Sequence, residues 1–230
     1  EPAPDPFEIL ENGVRYEVSF NRGYSAGLFL DQRENRRRLL AGHIAADFPL
    51  PADWPRGKEM LNAFGYTCGF SLCAALAGAK CTSLDLSRNY IEWGQRNFAL
   101  NQLDPAAHDF IYGDVFDWIP RLYKKGRRFD LIILDPPTFS RSKIGGTFQA
   151  ERDYAKLVKL AAPLLRENAV LLASTNARKL APETFCAQVR QGLQAAQRKI
   201  THEHYVPQPF DFPISKAEPA YLKTFWLRVA

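Results

Sequence analysis

Three aspartates stand directly after predicted apolar strands, where a carboxylate can hold a ligand or take part in a reaction. Asp85 and Asp114 follow short apolar runs, and Asp135 follows the uninterrupted run Leu-Ile-Ile-Leu. Ligands of open α/β sheets bind at the carboxyl ends of the strands. Asp85, twenty residues after Gly65, suits the two hydroxyls of a ribose, and Asp114 suits the amino group of an adenine. A helix start would also use either acid, so this alternative stays open.

The most informative stretch is Asp135-Pro136-Pro137-Thr138-Phe139-Ser140. Two prolines fix the loop and remove backbone donors, so we expect Asp135 to be held rigidly at the mouth of the sheet. A carboxylate followed by the ring of Phe139 suits a flipped nucleobase, because the acid can bond its edge and the ring can stack on its face. A purely structural turn is the alternative, and three strand-end acids in series disfavour it.

A turn with two glycines, Gly65 and Gly69, ends the first predicted strand of the sheet. Glycines let a ligand approach the backbone closely before a helix begins. The spacing does not meet the dinucleotide fingerprint, which makes a nicotinamide oxidoreductase a distant alternative, and it excludes a P-loop. A tight packing turn explains the two glycines nearly as well.

Apolar runs alternate with amphipathic helical stretches from residue 58 onward. This alternation predicts an α/β fold with a doubly wound, Rossmann-like sheet, mostly parallel with an antiparallel last strand. Strands are predicted at residues 60–64, 81–84, 110–112, 130–134, 169–173, 200–205 and 221–229. Helical stretches are predicted at residues 70–77, 87–100, 113–124, 154–165 and 185–193.

Residues 1–57 are predicted to form an N-terminal arm, a small β-hairpin and a helix that pack on a main domain of residues 58–230. Turn signals at Asn12-Gly13 and Asn21-Arg22-Gly23 support the extended segments, and a helix is expected over about residues 33–46. The chain opens with Glu1 and its only methionine is Met60, so we expect further residues ahead of Glu1.

The composition is that of an ordinary folded domain, with 46% hydrophobic and 24% charged residues. No apolar run approaches the roughly 20 residues that span a bilayer, and no signal segment opens the chain. We therefore expect a soluble cytoplasmic protein without membrane partners. The four cysteines form no C-x-x-C pair and no histidine stands at ligand spacing, which predicts reduced thiols and no metal. They are Cys68, Cys73, Cys81 and Cys186.

The net charge of +5 permits a polyanionic partner without requiring one. Basic residues are clustered, and three of the clusters adjoin the motifs above. These three comprise Arg33, Arg36, Arg37 and Arg38; Arg141 and Lys143; and Arg178 and Lys179. The cluster around Lys124 is interpreted as a solvated helix end.

These residues together resemble the class I S-adenosylmethionine-dependent methyltransferases, and most closely the bacterial branch that modifies large-subunit ribosomal RNA. The resemblance covers residues 8 to 229 and includes the stretch Gly27–Arg33 and the late strand at Tyr221. The branch contains cytosine-C5 enzymes and the guanine-N7 half of a bifunctional enzyme.

The resemblance implies S-adenosyl-L-methionine as cofactor and RNA as partner. It also implies a role for each matching residue. The implied cofactor-binding residues are Asp31, Gln32, Arg33, Phe64, Gly65, Tyr66, Thr67, Gly69, Asp85, Leu86, Ser87, Asp114, Val115 and Asp135. The implied catalytic residues are Asp135, Pro136, Pro137 and Phe139.

Carbon-5 methylation of cytosine requires a thiolate that adds to the ring. The expected positions after the fourth and fifth strands carry no cysteine, and Asn176 stands in the second of them. A nitrogen of a base in structured RNA, with guanine of ribosomal RNA as the favoured base, is therefore the expected target. A methyltransferase of a small molecule or protein and a non-catalytic RNA-binding protein remain alternatives. The oligomeric state stays open, with a homodimer as one expectation.

Overall fold

The structure is a computed structural model that describes residues 4–22, 25–142 and 146–230. Its strands are β1 (Phe7–Glu11), β2 (Val14–Val18), β3 (Glu59–Ala63), β4 (Lys80–Asp85), β5 (Asp109–Tyr112), β6 (Phe129–Leu134), β7 (Phe139–Ser142), β8 (Gly146–Gln149), β9 (Leu165–Thr175), β10 (Ile200–Pro207) and β11 (Lys223–Val229). Its α-helices are α1 (Arg33–Ala41), α2 (Gly69–Leu76), α3 (Arg88–Leu100), α4 (Val115–Lys124), α5 (Ala150–Ala161) and α6 (Pro182–Ala195). Short 3-10 turns cover Leu30–Gln32, Pro105–Ala107 and Ala162–Leu164.

The central sheet has seven strands in the order β10-β11-β9-β6-β3-β4-β5. β3 pairs in parallel with β4 and β6, while β11 is antiparallel to both β9 and β10. The predicted doubly wound sheet with an antiparallel last strand is therefore confirmed. The chain runs outward from β3 to β5 and then returns to place β6 on the other side of β3. The strand order thus reverses between β3 and β6, where such sheets bind ligands.

Side chains of the central strands alternate between two apolar layers. On β6, Ile132 and Leu134 pack in the layer formed with α4, α5 and α6, while Leu131 and Ile133 pack in the layer formed with α1, α2 and α3. All four are at most 1% exposed. Continuous burial of a strand on both faces explains why its sequence is apolar without alternation.

The N-terminal hairpin of β1 and β2 closes at Asn12-Gly13, and both residues have the positive φ of a tight hairpin turn. Val14, Tyr16 and Val18 alternate inward and are buried. They pack in the same layer as α1, α2 and α3. The predicted hairpin is thus present, and the division of the chain at residue 57 stays a prediction.

The structure differs from the expected elements by a few residues at several ends, and most clearly in the following places. α1 ends at Ala41, five residues before the predicted end, because Gly42 adopts a left-handed φ of 62° and closes the helix with its amide. β9 begins at Leu165, which the helical periodicity had included in α5. The expected loop after β6 contains the β7–β8 hairpin. Gly23 and Lys143 lie outside the described residues. Within those residues, no helix is both long and apolar enough to cross a membrane.

Candidate functional site

A cavity of about 310 Å³ opens at the carboxyl ends of β3, β4, β5 and β6, beside the point where strand order reverses. The volume and the mixed lining are those of a small-molecule site. Most of the residues predicted from the sequence line it. These are Asp31, Gln32, Phe64, Gly65, Tyr66, Thr67, Gly69, Asp85, Leu86, Asp114, Val115, Asp135, Pro136 and Pro137.

The loop after β3 contains three non-glycine residues whose backbone is in the left-handed conformation. Phe64, Tyr66 and Cys68 have φ values of 63°, 49° and 63°, a conformation that costs roughly 1–2 kcal/mol per residue. Gly65 and Gly69 are not left-handed. A Cβ on Gly69 would lie 3.3 Å from Leu28 Cδ1, so this glycine makes room for a protein side chain. Both glycines line the cavity, and the expectation that they let a ligand approach the backbone stays a prediction.

Hydrogen bonds from three directions fix this loop. The amide of Gly65 donates to the carbonyl of Leu84 at 2.9 Å, and the hydroxyl of Thr67 donates to the carbonyl of Gly27 at 2.6 Å. The hydroxyl of Tyr66 donates to the carbonyl of Ser25 at 2.8 Å. These bonds offset the conformational strain and set the loop before any ligand binds.

Asp85 is fixed by backbone amides on both sides. Its Oδ2 accepts from the Tyr66 amide and its Oδ1 from the Ser87 amide, each at 2.8 Å. Burial raises the pKa of this carboxyl above its usual range, and the amide hydrogen bonds oppose the shift. Each oxygen keeps a lone pair, so Asp85 can accept two further hydroxyl donors. Ser87 caps α3 and does not line the cavity.

Asp114 caps a helix and also lies in the cavity wall, and its role toward an adenine amino group stays a prediction. Its Oδ1 accepts from the Phe116 amide at 2.9 Å and so caps α4, and its side chain also lines the cavity. Val115 and Phe116 follow it along the wall. The result is a carboxylate beside an apolar wall, which fits a planar ring that carries an amino group.

Asp135 lies in a buried polar network directly after β6. Gln32 Nε2 donates to Asp135 Oδ2 at 3.1 Å and to Ser174 Oγ at 2.7 Å. Asn35 Nδ2 donates to Gln32 Oε1 at 2.7 Å, which fixes the orientation of the Gln32 amide. Burial raises the pKa of Asp135 to about 6, and the negative charge of Asp31 adds to the shift. The carboxyl is thus positioned by its neighbours, and its burial favours the protonated form.

Two other predicted site residues do not line the cavity. Arg33 turns outward and its Nη2 donates to Asp211 Oδ2 at 2.9 Å. Phe139 is 52% exposed, and its neighbour Ser140 lines the cavity instead. Successive side chains of a strand point to opposite faces, so β7 directs Ser140 inward and Phe139 outward.

Arg36 lines the cavity but was not among the predicted site residues. It had been grouped with exposed cations for RNA, yet it is 2% exposed and lines the cavity. Gln32 and Arg36 are four residues apart, but the predicted helix begins at residue 33, so this spacing did not distinguish Arg36 from its basic neighbours. Aromatic residues of the cavity wall, including Phe29 and Tyr90, were also not predicted.

No thiol lines the cavity among the described residues, and they contain no cluster of three or more histidine, cysteine or acidic side chains that could hold a metal ion. Cys68, at the start of α2, is fully buried. Burial raises the pKa of Cys68 to about 12 and that of Cys73 to about 11. Neither thiol is therefore placed or ionised to act as a nucleophile on a ligand in the cavity.

Comparison with known proteins gives a consistent result. The sequence profile of the S-adenosylmethionine-dependent methyltransferase family matches residues 1–224. A protein of Neisseria meningitidis named ribosomal RNA large subunit methyltransferase K is 37% identical over 210 residues, which are 90% of this chain and 54% of that protein. A ribosomal RNA large subunit methyltransferase of Deinococcus radiodurans is 34% identical and matches 100% of this chain and 53% of its own length.

The fold is also shared with a solved relative. The crystal structure of SMU.776, described as a methyltransferase complexed with SAH, superposes with a TM-score of 0.85 at 34% identity, covering 100% of this chain and 57% of that one. The chain thus spans about half the length of the relatives that it matches.

Proposed function

Because the chain belongs to the S-adenosylmethionine-dependent methyltransferase family, we propose that it transfers the methyl group of S-adenosylmethionine to a nitrogen of a guanine base in large-subunit ribosomal RNA. The cofactor and the reaction class follow from the family. The RNA substrate is supported by the names of the relatives, and the base by the chemistry of the cavity.

The cavity fits S-adenosylmethionine by its donor set. Asp85 would accept from the ribose hydroxyls and Asp114 from the adenine amino group, with Val115 and Phe116 against the ring. The loop from Phe64 to Gly69 would hold the methionine part. The bound cofactor supplies an electrophilic methyl group on a positively charged sulfur.

The observation that carries the proposal is the position of Asp135 in the cavity wall, directly after β6. Pro136 and Pro137 follow it, and Gln32 holds its carboxylate by a hydrogen bond. An ionised carboxylate accepts N–H donors of a base edge, and guanine offers such donors. Thr138 Oγ1 donates to Asn176 Oδ1 at 2.7 Å, which leaves the Asn176 amide group to donate to an acceptor such as a base carbonyl.

The absence of a thiol from the described cavity lining supports nitrogen over carbon as the target. A ring or exocyclic nitrogen needs positioning rather than covalent activation. A cytosine carbon would need the thiolate that the buried cysteines do not supply.

The test is methyl transfer from labelled S-adenosylmethionine to large-subunit ribosomal RNA that carries no modifications. We expect incorporation into that RNA and much less into small-subunit RNA or total protein. Asp135→Asn should bind the cofactor normally and transfer at least 100-fold more slowly, because the base edge loses its anionic acceptor. Transfer to protein but not to RNA would refute the proposed substrate.

A further inference from the structure

The guanidinium of Arg36 is a buried cation in the wall of the cofactor cavity. Its Nε and Nη2 donate to the two carboxylate oxygens of Glu11, each at 2.7 Å. Glu11 is the last residue of β1 and is 7% exposed. The N-terminal hairpin therefore fixes the position of a charge that borders the cavity.

Arg36 retains hydrogen-bond donors that the described residues do not use. A guanidinium has five N–H donors, and only the pair to Glu11 is made within the described part of the chain. Nη1 makes no hydrogen bond to the described residues, yet it is not a fully buried atom. The residue lines the cavity. Arg36 therefore keeps unused donors at a position in the cavity wall.

The surroundings of Arg36 suit an anion. The aliphatic part of the side chain packs at the start of α2, where a Cβ on Gly69 would lie 3.4 Å from Arg36 Cδ. The first amides of a helix carry partial positive charge, and they lie beside the guanidinium that pairs with Glu11. A carboxylate is the planar anion that a guanidinium fork binds best.

We propose that Arg36, positioned by Glu11 of the N-terminal hairpin, binds the α-carboxylate of the methyl donor. Asp85 and Asp114 occupy the nucleoside end of the cavity, and Arg36 lies toward the methionine end with the loop that follows β3. The hairpin is then part of the cofactor site and not only a packing element. This inference rests on the cofactor of the proposed function and is independent of the RNA substrate.

The alternative role of the ion pair is to clamp the hairpin to α1. The two roles are distinguished by comparing S-adenosylhomocysteine with its analogue that lacks the carboxylate, using calorimetric binding to the purified chain. The wild type should bind the complete ligand about 10- to 100-fold more tightly than the analogue. Arg36→Met should bind the two ligands equally, and Arg36→Lys should restore part of the difference. A folded Arg36→Met variant with the wild-type ratio would overturn the proposal.

Removing Arg36 alone leaves Glu11 buried without a partner, which can unfold the chain. The double variant Glu11→Gln/Arg36→Met removes both charges and should show the same loss of discrimination. Glu11→Gln alone should reduce the ratio, and an unchanged ratio would refute the positioning role of Glu11. Arg37→Met, an exposed neighbour on α1, serves as the matched control and should keep the wild-type ratio. A chain that discriminates as expected but methylates no RNA would contradict only the proposed substrate.

Discussion

Asp135→Asn should stabilise the protein at neutral pH although it removes a residue proposed to be essential for transfer. The ordinary pKa of an aspartate is 3.8, and in the fold the pKa of Asp135 is about 6. Compared with the unfolded chain, the folded state therefore favours the protonated form of Asp135. This contribution to stability is complete below pH 3.8 and is lost as the pH rises through 6. Above that pH the ionised carboxylate costs about 3 kcal/mol at most.

Asparagine has nearly the same shape, does not ionise, and still offers an oxygen to Gln32. We expect Asp135→Asn to be about 1–3 kcal/mol more stable than the wild type at pH 8, which corresponds to a rise in Tm of roughly 3–10 °C. The difference should shrink toward zero as the pH is lowered toward 4. Urea unfolding followed by circular dichroism at a series of pH values measures it directly.

Asp153→Asn is the control with the opposite sign. Asp153 accepts from Arg152 and Lys156, and these partners hold the pKa of its carboxyl well below the usual range. Its contribution to stability is present above pH 3.8 and is lost as the pH falls, so Asp153→Asn should destabilise the protein at pH 7. The reasoning about Asp135 is refuted if Asp135→Asn is less stable than the wild type at pH 8, or if its effect does not change with pH.

Three further predictions follow from the site. Asp85→Ala should weaken S-adenosylhomocysteine binding at least 100-fold in calorimetry, because it removes the ribose acceptor and frees the amides of Tyr66 and Ser87; wild-type affinity would contradict the assignment. Gly94→Ala should destabilise the fold by about 1–3 kcal/mol in urea unfolding, because its Cβ would overlap Cys68 Sγ beneath the cofactor loop, whereas Gln95→Ala on the same helix should have little effect. Replacing the exposed pair Arg178 and Lys179 with alanine should weaken RNA binding and reduce the slope of log affinity against log salt by about 1–2. Lys199→Ala, which lies before β10 at the opposite end of the strands, should not.

The positions of the site residues were predictable because strand ends in a parallel sheet meet at one edge. Apolar runs without alternation located β3, β4, β6 and β9 to within a few residues. The acids at the carboxyl ends of β4, β5 and β6 line one cavity. The start of α3 was also predictable, because Ser87 is its N-cap and accepts a hydrogen bond from the Tyr90 amide. These features depend on local sequence and on the general geometry of the fold.

The features that were not predictable depend on contacts between distant segments. The left-handed conformations of Phe64, Tyr66 and Cys68 are imposed by tertiary hydrogen bonds and leave no mark in composition. In the sequence, Arg36 is one of several cations in a basic run. Only the ion pair with Glu11, 25 residues earlier, distinguishes it from its neighbours. The β7–β8 hairpin is short and polar, so it lacks the alternation that would have indicated strands.

The identity of the methylated nucleoside tests the central claim most directly. Unmodified large-subunit ribosomal RNA is incubated with the protein and labelled S-adenosylmethionine, digested to nucleosides and separated by mass. The account predicts that the label appears in a guanosine methylated on nitrogen. Label in 5-methylcytidine would contradict it. The absence of label from the RNA, with a protein that is shown to bind the cofactor, would also contradict it.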